Sequence, residues 1–216
     1  MLSRKNKKVN RFSIFFIKNR RTFIKNKFYS KAHCFKVNFS ENKFINVNFK
    51  GAMLTNCNFK KAKFINVEFF GTNLKKSNFK NAIFERCIFS GALLSNANFN
   101  DATFKNCIFL NTSLKDAKKI DIKEVDNSYL KHQNLSIDEE LKMAVNNYKL
   151  DEKIKNTRIL HQRGGGINTV TITILLMRYK VEVLTELLNR MVGNLPRRVI
   201  TIADFENMLD FELHRE

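Results

Sequence analysis

The chain has 216 residues and a formal net charge of +19. That length holds one or two domains with a real core, and the cationic excess points to anionic partners: nucleic acid, acidic lipid or an acidic protein. No run of ~18 apolar residues occurs, which excludes a membrane-spanning helix.

The charge is unevenly spread. Residues 1–36 carry twelve Lys or Arg and no acid, residues 37–116 eleven basic and five acidic, and residues 117–216 sixteen and fifteen. Residues 1–28 therefore read as a basic arm, helical or disordered over 3–27. It has three readings. Lys7, Lys8, Arg11, Arg20 and Arg21 could hold nucleic-acid phosphates, each contact releasing counterions. The arm could lie on an anionic membrane with Phe12, Phe15, Phe16 and Phe23 inserted. It could also be a solubilising tail, since the abundance of Lys, Asn, Ile and Phe is what an AT-rich genome produces. The apolar stretch Ile14 to Ile17 is too short for a secretory signal and has no cleavage site after it. The acid-free start also has the look of an organelle transit peptide; the expected location is cytoplasmic.

Over residues 29–117 a large apolar residue recurs every fifth position. The series is Phe39, Phe44, Phe49, Leu54, Phe59, Phe64, Phe69, Leu74, Phe79, Phe84, Phe89, Leu94, Phe99, Phe104, Phe109 and Leu114, without a miss. A period of five is neither helix nor strand. Two residues before each stands a small or β-branched residue, such as Val37, Ala52, Cys57, Ala62, Val67 and Thr72, with Asn42 the exception. Two inward positions spaced by two make a short extended segment; the other three residues turn a corner. A period of twenty overlies the first. Leu54, Leu74, Leu94 and Leu114 repeat at that interval, as do Gly51, Gly71 and Gly91, and Asn38, Asn58, Asn78 and Asn98. Four five-residue sides thus close one square turn, and turns stack at ~4.8 Å. The Asn columns become amide ladders, and the Gly column marks a corner with an unusual backbone angle.

The segments "GAMLT", "NAIFE", "NANFN" and "DATFK" resemble the pentapeptide-repeat family, whose pattern is small, polar, Leu or Phe, and two variable residues. The resemblance covers about residues 37–117 and implies a mainly β fold, a right-handed quadrilateral β-helix of about four coils. A leucine-rich repeat also has a period near twenty, but it needs an LxxLxL core absent here. The coil is expected to stop near Ala117, because Lys119 falls where a Phe belongs.

Residues 118–163 read as a linker and capping helix, and residues 164–216 as a mostly helical region. Ser136 to Glu139 reads as a capping box, followed by Leu141, Ala144, Val145 and Tyr148 at helical spacing. Gly164, Gly165 and Gly166 read as a flexible joint. Val170, Ile172 and Ile174 alternate with threonines as in a strand. Val181, Leu184, Leu187, Leu188 and Met191 mark a helix ended by Gly193 and Pro196, and Thr201 caps a last helix with Phe205, Met208 and Leu209.

Chemistry-bearing residues do not converge. Cys34, Cys57, Cys87 and Cys107 form no CxxC, which argues against zinc and a secreted disulfide scaffold. Cys87 and Cys107 stack in neighbouring coils within disulfide reach but read as reduced core residues. His33, His132, His161 and His214 have no motif partner, and the triple Gly lacks the GK[ST] ending of a phosphate loop. The expectation is no enzyme, no metal, no cofactor and no small-molecule substrate. Outward positions of the later coils are apolar: Phe70, Ile83, Ile88, Leu93, Ile108 and Leu110. They are expected to be an interface covered by the C-terminal helices or a second subunit. The function expected is a non-catalytic scaffold that binds a protein partner or self-associates. The alternatives are binding of nucleic acid or a membrane surface, through the arm and through Lys60 and Lys61, or protection of a topoisomerase. The resemblance implies the last only for members with acidic, duplex-like surfaces, and this coil is net basic.

Overall fold

The computed structural model describes residues 23–120, 129–130 and 137–215. The chain divides into a coil unit, Met1–Leu130, and a helical unit, Lys131–Glu216.

The coil unit is a right-handed four-sided β-helix. Strands β1 (Phe23–Phe28), β3 (Lys43–Asn48), β5 (Lys63–Glu68), β6 (Ile83–Glu85) and β8 (Thr103–Lys105) stack in parallel on the first wall. β3 and β5 bend onto the second wall, which continues in β7 (Ile88–Ser90), β9 (Ile108–Leu110) and β10 (Tyr129–Leu130). The third wall contains β2 (His33–Phe35) and β4 (Met53–Thr55). The fourth is a column of parallel bridges through Asn38, Asn58, Asn78, Asn98 and Lys118. Every pairing joins residues twenty apart, so one turn is twenty residues. Four turns separate Phe23 from Thr103, roughly 20 Å of height at the usual strand spacing.

All sixteen register residues are buried. They form four vertical piles. Phe44, Phe64, Phe84 and Phe104 stack at 5.0, 4.8 and 4.9 Å between ring centroids, within 5° of parallel. Phe39, Phe59, Phe79 and Phe99 stack at 4.9, 5.0 and 4.9 Å. Phe49, Phe69, Phe89 and Phe109 form the third pile, and the leucines fill the fourth. Ring spacing equals coil spacing, so one substitution pattern satisfies backbone pairing and aromatic stacking together.

The corner sits two residues after each large residue from Phe39 to Phe109, where φ is positive. Gly51, Gly71 and Gly91 take it at +65°, +55° and +59°, but so do Asn46, Asn56, Lys61, Asn66, Lys76, Asn81 and Asp101. A left-handed φ costs an ordinary residue roughly 1–2 kcal/mol, and Gly, Asn and Asp escape most of it. The small inward position serves a second purpose where it is Ser or Thr. The hydroxyls of Thr72, Ser77 and Thr112 donate to the carbonyls of Phe49, Leu54 and Phe89 at 2.9, 2.7 and 2.9 Å, tying adjacent coils.

The coil overruns its expected ends. β1 is in register with β3 from Phe23, inside the segment assigned to the arm, because Ile24 supplies a buried inward side chain. Residues 1–22, the rest of the expected arm, lie outside the described residues. At the other end, Tyr129 and Leu130 pair with Phe109 and Leu110, again twenty apart. Lys119 takes the left-handed φ of +55° instead of an inward position.

In the helical unit, α1 (Glu139–Asn146) is capped by Asp138, whose carboxylate accepts from the Glu140 and Leu141 N–H groups. Asp138 stands where the expected capping box places an interior position; Ser136 lies outside the described residues. Residues Thr169–Leu176 form helix α2, not a strand. The segment buries Thr171, Ile172, Ile174 and Leu175, so an alternating pattern and a helical one look alike over eight residues. Thr173 Oγ1 returns to the Thr169 carbonyl at 2.9 Å, which lets a β-branched residue sit in a helix. α3 (Val181–Met191) and α4 (Ile202–Leu213) fall where expected, with Gly193 at φ +76° after the first and the Thr201 hydroxyl accepting from Asp204 N–H at 3.1 Å before the second. Tyr148 anchors the unit: its hydroxyl donates to the Leu188 carbonyl at 2.6 Å and its ring meets Phe205 edge-on. The triple Gly is a hydrogen-bonded turn rather than a joint. Gln162 N–H donates to the Gly166 carbonyl at 2.7 Å and Gly165 N–H to the Gln162 carbonyl at 3.0 Å. Gly165 has φ +80°, and a Cβ there would meet Lys149 Cε at 3.0 Å.

Candidate interaction surface

On each coil side two side chains point outward, and their columns define what the walls can bind. The fourth wall presents the Asn ladder. Asn58 Nδ2 donates to Asn38 Oδ1 at 3.0 Å and Asn98 Nδ2 to Asn78 Oδ1 at 3.3 Å. Each Oδ1 also accepts the backbone N–H two residues on, at Ser40, Lys60, Lys80 and Asn100, at 3.1 Å in each case. This is the Asx turn that leads the chain into the corner, so the ladder is structural.

Beside the ladder stand lysines. Lys60 and Lys80 occupy one outward column, Lys61 the corner on one side, and Lys75 and Lys76 the outward and corner positions on the other. Lys60, Lys61, Lys75 and Lys76 are exposed and Lys80 half-buried. None has a carboxylate partner among the described residues, and residues 42–67 and 69–84 contain no Asp or Glu. Lys60 and Lys61 are the anion contacts expected from sequence. Lys75, Lys76 and Lys80 join them because twenty-residue stacking brings the next coil onto the same wall. The other expected contacts, Lys7, Lys8, Arg11, Arg20 and Arg21, lie outside the described residues.

The six apolar outward residues do not form one patch. Phe70, Ile88, Ile108 and Leu110 sit on the second wall, Ile83 on the first and Leu93 on the third. Ile83 and Leu93 are 44% and 46% exposed, whereas Ile88 and Leu110 are buried and Phe70 and Ile108 half-buried. Below them on the second wall Asn48 and Glu68 are also buried, with Asn48 Nδ2 donating to Glu68 Oε2 at 2.5 Å.

The four cysteines are buried and form no disulfide. Burial pushes the Cys57 thiol up to about 12 and raises Cys87 as well, with Cys107 adding to the effect; neither is a nucleophile at neutral pH. His33 and His214 are exposed, His132 lies outside the described residues, and His161 is buried with Nε2 unpaired. Burial, then the Lys149 charge, holds the His161 imidazole below its ordinary value. Among the described residues no group of His, Cys, Asp or Glu could hold a metal ion, and no helix is long and apolar enough to cross a membrane. The helical unit has a cavity of about 540 Å³ lined by Arg190, Met191, Arg197, Met208, Phe211 and Glu212 among others. Its cations are spoken for: Arg190 pairs with Glu212 at 3.2 Å and Arg197 with the buried Asp204. Sequence reasoning did not assemble this cavity, since its residues share no spacing.

Residues 32–69 match the family model of pentapeptide repeats, described as eight copies. Those residues carry the pentapeptide repeat. Residues 54–129 also match the model of the SV2A/B/C luminal domain. Among solved structures it is similar to HetL, a pentapeptide repeat protein involved in heterocyst differentiation regulation from the cyanobacterium Nostoc sp. strain PCC 7120. That likeness has 14% identity and a TM-score of 0.44, and covers 46% of this chain and 42% of HetL. A pentapeptide repeat protein of the Arabidopsis thaliana thylakoid lumen is 21% identical, with a TM-score of 0.36 over 71% of this chain and 90% of that one. QnrB1, a plasmid-mediated fluoroquinolone resistance protein, is 16% identical, with a TM-score of 0.13 over 51% and 84%. The chain thus spans less than half the length of HetL. No curated protein matches it.

Proposed function

We propose that this pentapeptide-repeat protein is a non-catalytic interaction module whose walls bind a macromolecular partner, protein or otherwise. The observation that carries the reading is the division of the repeat. Every inward position is spent on the core, while the outward columns vary from wall to wall: Asn and Lys on the fourth, Ile45, Ile65 and Ile83 on the first, Met53 and Leu93 on the third. Four chemically different flat faces on one rigid scaffold suit selective docking, not turnover. Exposed Ile83 and Leu93 are proposed contact points for a protein partner or a second copy. Four cysteines that form no disulfide suit a reducing compartment, so the proposal places the protein in the cytoplasm. Protection of a topoisomerase by imitation of duplex charge is not part of it, because residues 23–120 hold seventeen basic and five acidic residues.

The test is affinity capture with the full chain and variants confined to one wall: Lys60→Ser with Lys80→Ser, Ile45→Ser with Ile65→Ser, and Met53→Ser with Leu93→Ser. The expected result is an unchanged melting temperature and loss of the captured partner in one pair only. Equal retention by all three, or equal loss, contradicts docking on a wall.

A further inference from the structure

We infer that the fourth wall, its two corners and the adjoining edge of the third wall bind the phosphate backbone of duplex nucleic acid. This deepens the interaction-module reading and rests on it. Five lysines, Lys60, Lys61, Lys75, Lys76 and Lys80, gather on two successive coils without a carboxylate partner among the described residues. They are held by the backbone and not by chance rotamers: the Lys61 N–H donates to the Lys80 carbonyl at 2.9 Å, and Asn56 N–H to the Lys75 carbonyl at 3.0 Å. The coils thus fix the spacing of the charges in both directions, about 4.8 Å vertically. Glu41 bounds the cluster below, in the corner column of Lys61, and Asp101 bounds it above. The helical-unit cavity, by contrast, offers arginines already neutralised by Glu212 and Asp204.

The chemistry of the wall selects among polyanions. Its outward residues from 38 to 100 are Asn, Ser and Lys, with no aromatic ring to stack an unpaired base, so it lacks the platform that single strands need. The Asn oxygens accept backbone N–H groups and two of the amides donate along the ladder, which leaves little to read a base edge. What remains is lysine ammonium groups, point charges suited to phosphate oxygens, on a flat face that meets the outside of a duplex. Binding of this kind is sequence-independent and strongly salt-dependent.

The experiment is an anisotropy titration of the full chain against a labelled mixed-sequence DNA duplex, the matching single strand and a duplex RNA, over a range of salt. It compares the native chain with Lys→Ser at 60, 61, 75, 76 and 80, and with a control that removes the same charge elsewhere: Ser at Lys25, Lys43, Lys105, Arg163 and Lys180, all exposed. Counterion release gives a slope change of about 0.9 per lost phosphate contact, so the wall variant, which loses five, lowers the salt slope by about 4.5 and weakens duplex binding at least tenfold. The control changes the slope by less than about 1. Both duplexes are bound more tightly than the single strand. Equal losses in wall variant and control, tighter binding of the single strand, or no duplex binding by the native chain each overturn the inference. In the last case, capture of an acidic protein that depends on Lys60 and Lys80 leaves the interaction module standing with another partner. Matching melting curves verify that both variants are folded.

Discussion

Phe84→Ala removes the ring at the centre of the aromatic interior. Phe84 is 0% exposed. It stacks between Phe64 and Phe104 at 4.8 and 4.9 Å and meets Phe79, Phe89, Phe99 and Phe69 at 5.6, 5.5, 6.1 and 6.4 Å. Truncation forfeits the transfer free energy of the ring and opens a cavity whose walls are coil backbone, fixed by pairing above and below. Collapse is therefore limited, and the cost falls at the upper end of the Phe→Ala range, about 4–5 kcal/mol. Phe84→Leu refills most of the volume and costs about 1–2 kcal/mol. Lys60→Ala, on an outer wall, stays within about 0.5 kcal/mol. Equilibrium urea unfolding followed by the β-sheet circular dichroism measures all three. Amide exchange at Ile83 and Thr103, which donate to the Ala62 and Ala82 carbonyls at 2.9 and 3.0 Å, reports the coil directly. Equal destabilisation by Phe84→Ala and Lys60→Ala, or a Phe84→Ala cost below about 1 kcal/mol, refutes the inward assignment.

Three further outcomes follow from local geometry. Ser77→Ala orphans the Cys57 N–H, which donates to Ser77 Oγ at 3.0 Å, and frees the Leu54 carbonyl; a loss of about 1–3 kcal/mol in the same urea assay is expected, and a neutral result shows that the hydroxyl does not tie the coils. A thiol-reactive dye at neutral pH labels none of the four cysteines rapidly in the native protein and all four after denaturation, since burial hides all four and also holds Cys57 and Cys87 protonated; fast labelling of Cys57 or Cys87 in the native state contradicts their placement. His161 has its folded pKa depressed by burial and by Lys149. The unfolded chain then binds the extra proton, so stability is full above the unfolded value of about 6.5 and falls as pH drops through it. His161→Gln flattens that pH dependence of the helical unit, and an unchanged slope sinks the assignment.

The coil was readable because the chain repeats one structural decision sixteen times, so every column averages over several independent residues. Its ends were not, because an end is a single occurrence. Ile24 holds the inward register with a residue other than the Phe or Leu of the repeat, and Tyr129–Leu130 resumes the pairing after a gap in the pattern. The corner rule was only partly visible: the Gly column advertises it, whereas Lys61 and Lys76 adopt the same φ without any compositional sign. The helical unit lacked repetition, and Thr169–Leu176 was misread because a segment buried on most sides has no polar face to set its period. The lysine cluster was half visible. Lys60 and Lys61 adjoin in sequence, but Lys75, Lys76 and Lys80 reach them only through the stacking of one turn on the next.

The most direct measurement is a set of nuclear Overhauser contacts between selectively labelled phenylalanine rings. Strong contacts between Phe64 and Phe84 and between Phe84 and Phe104, with none between Phe64 and Phe104, are predicted from the 4.8 and 4.9 Å stacking. Absence of both neighbouring contacts, or rings accessible to a soluble paramagnetic quencher, contradicts an aromatic interior and with it the outward placement of every lysine on the walls.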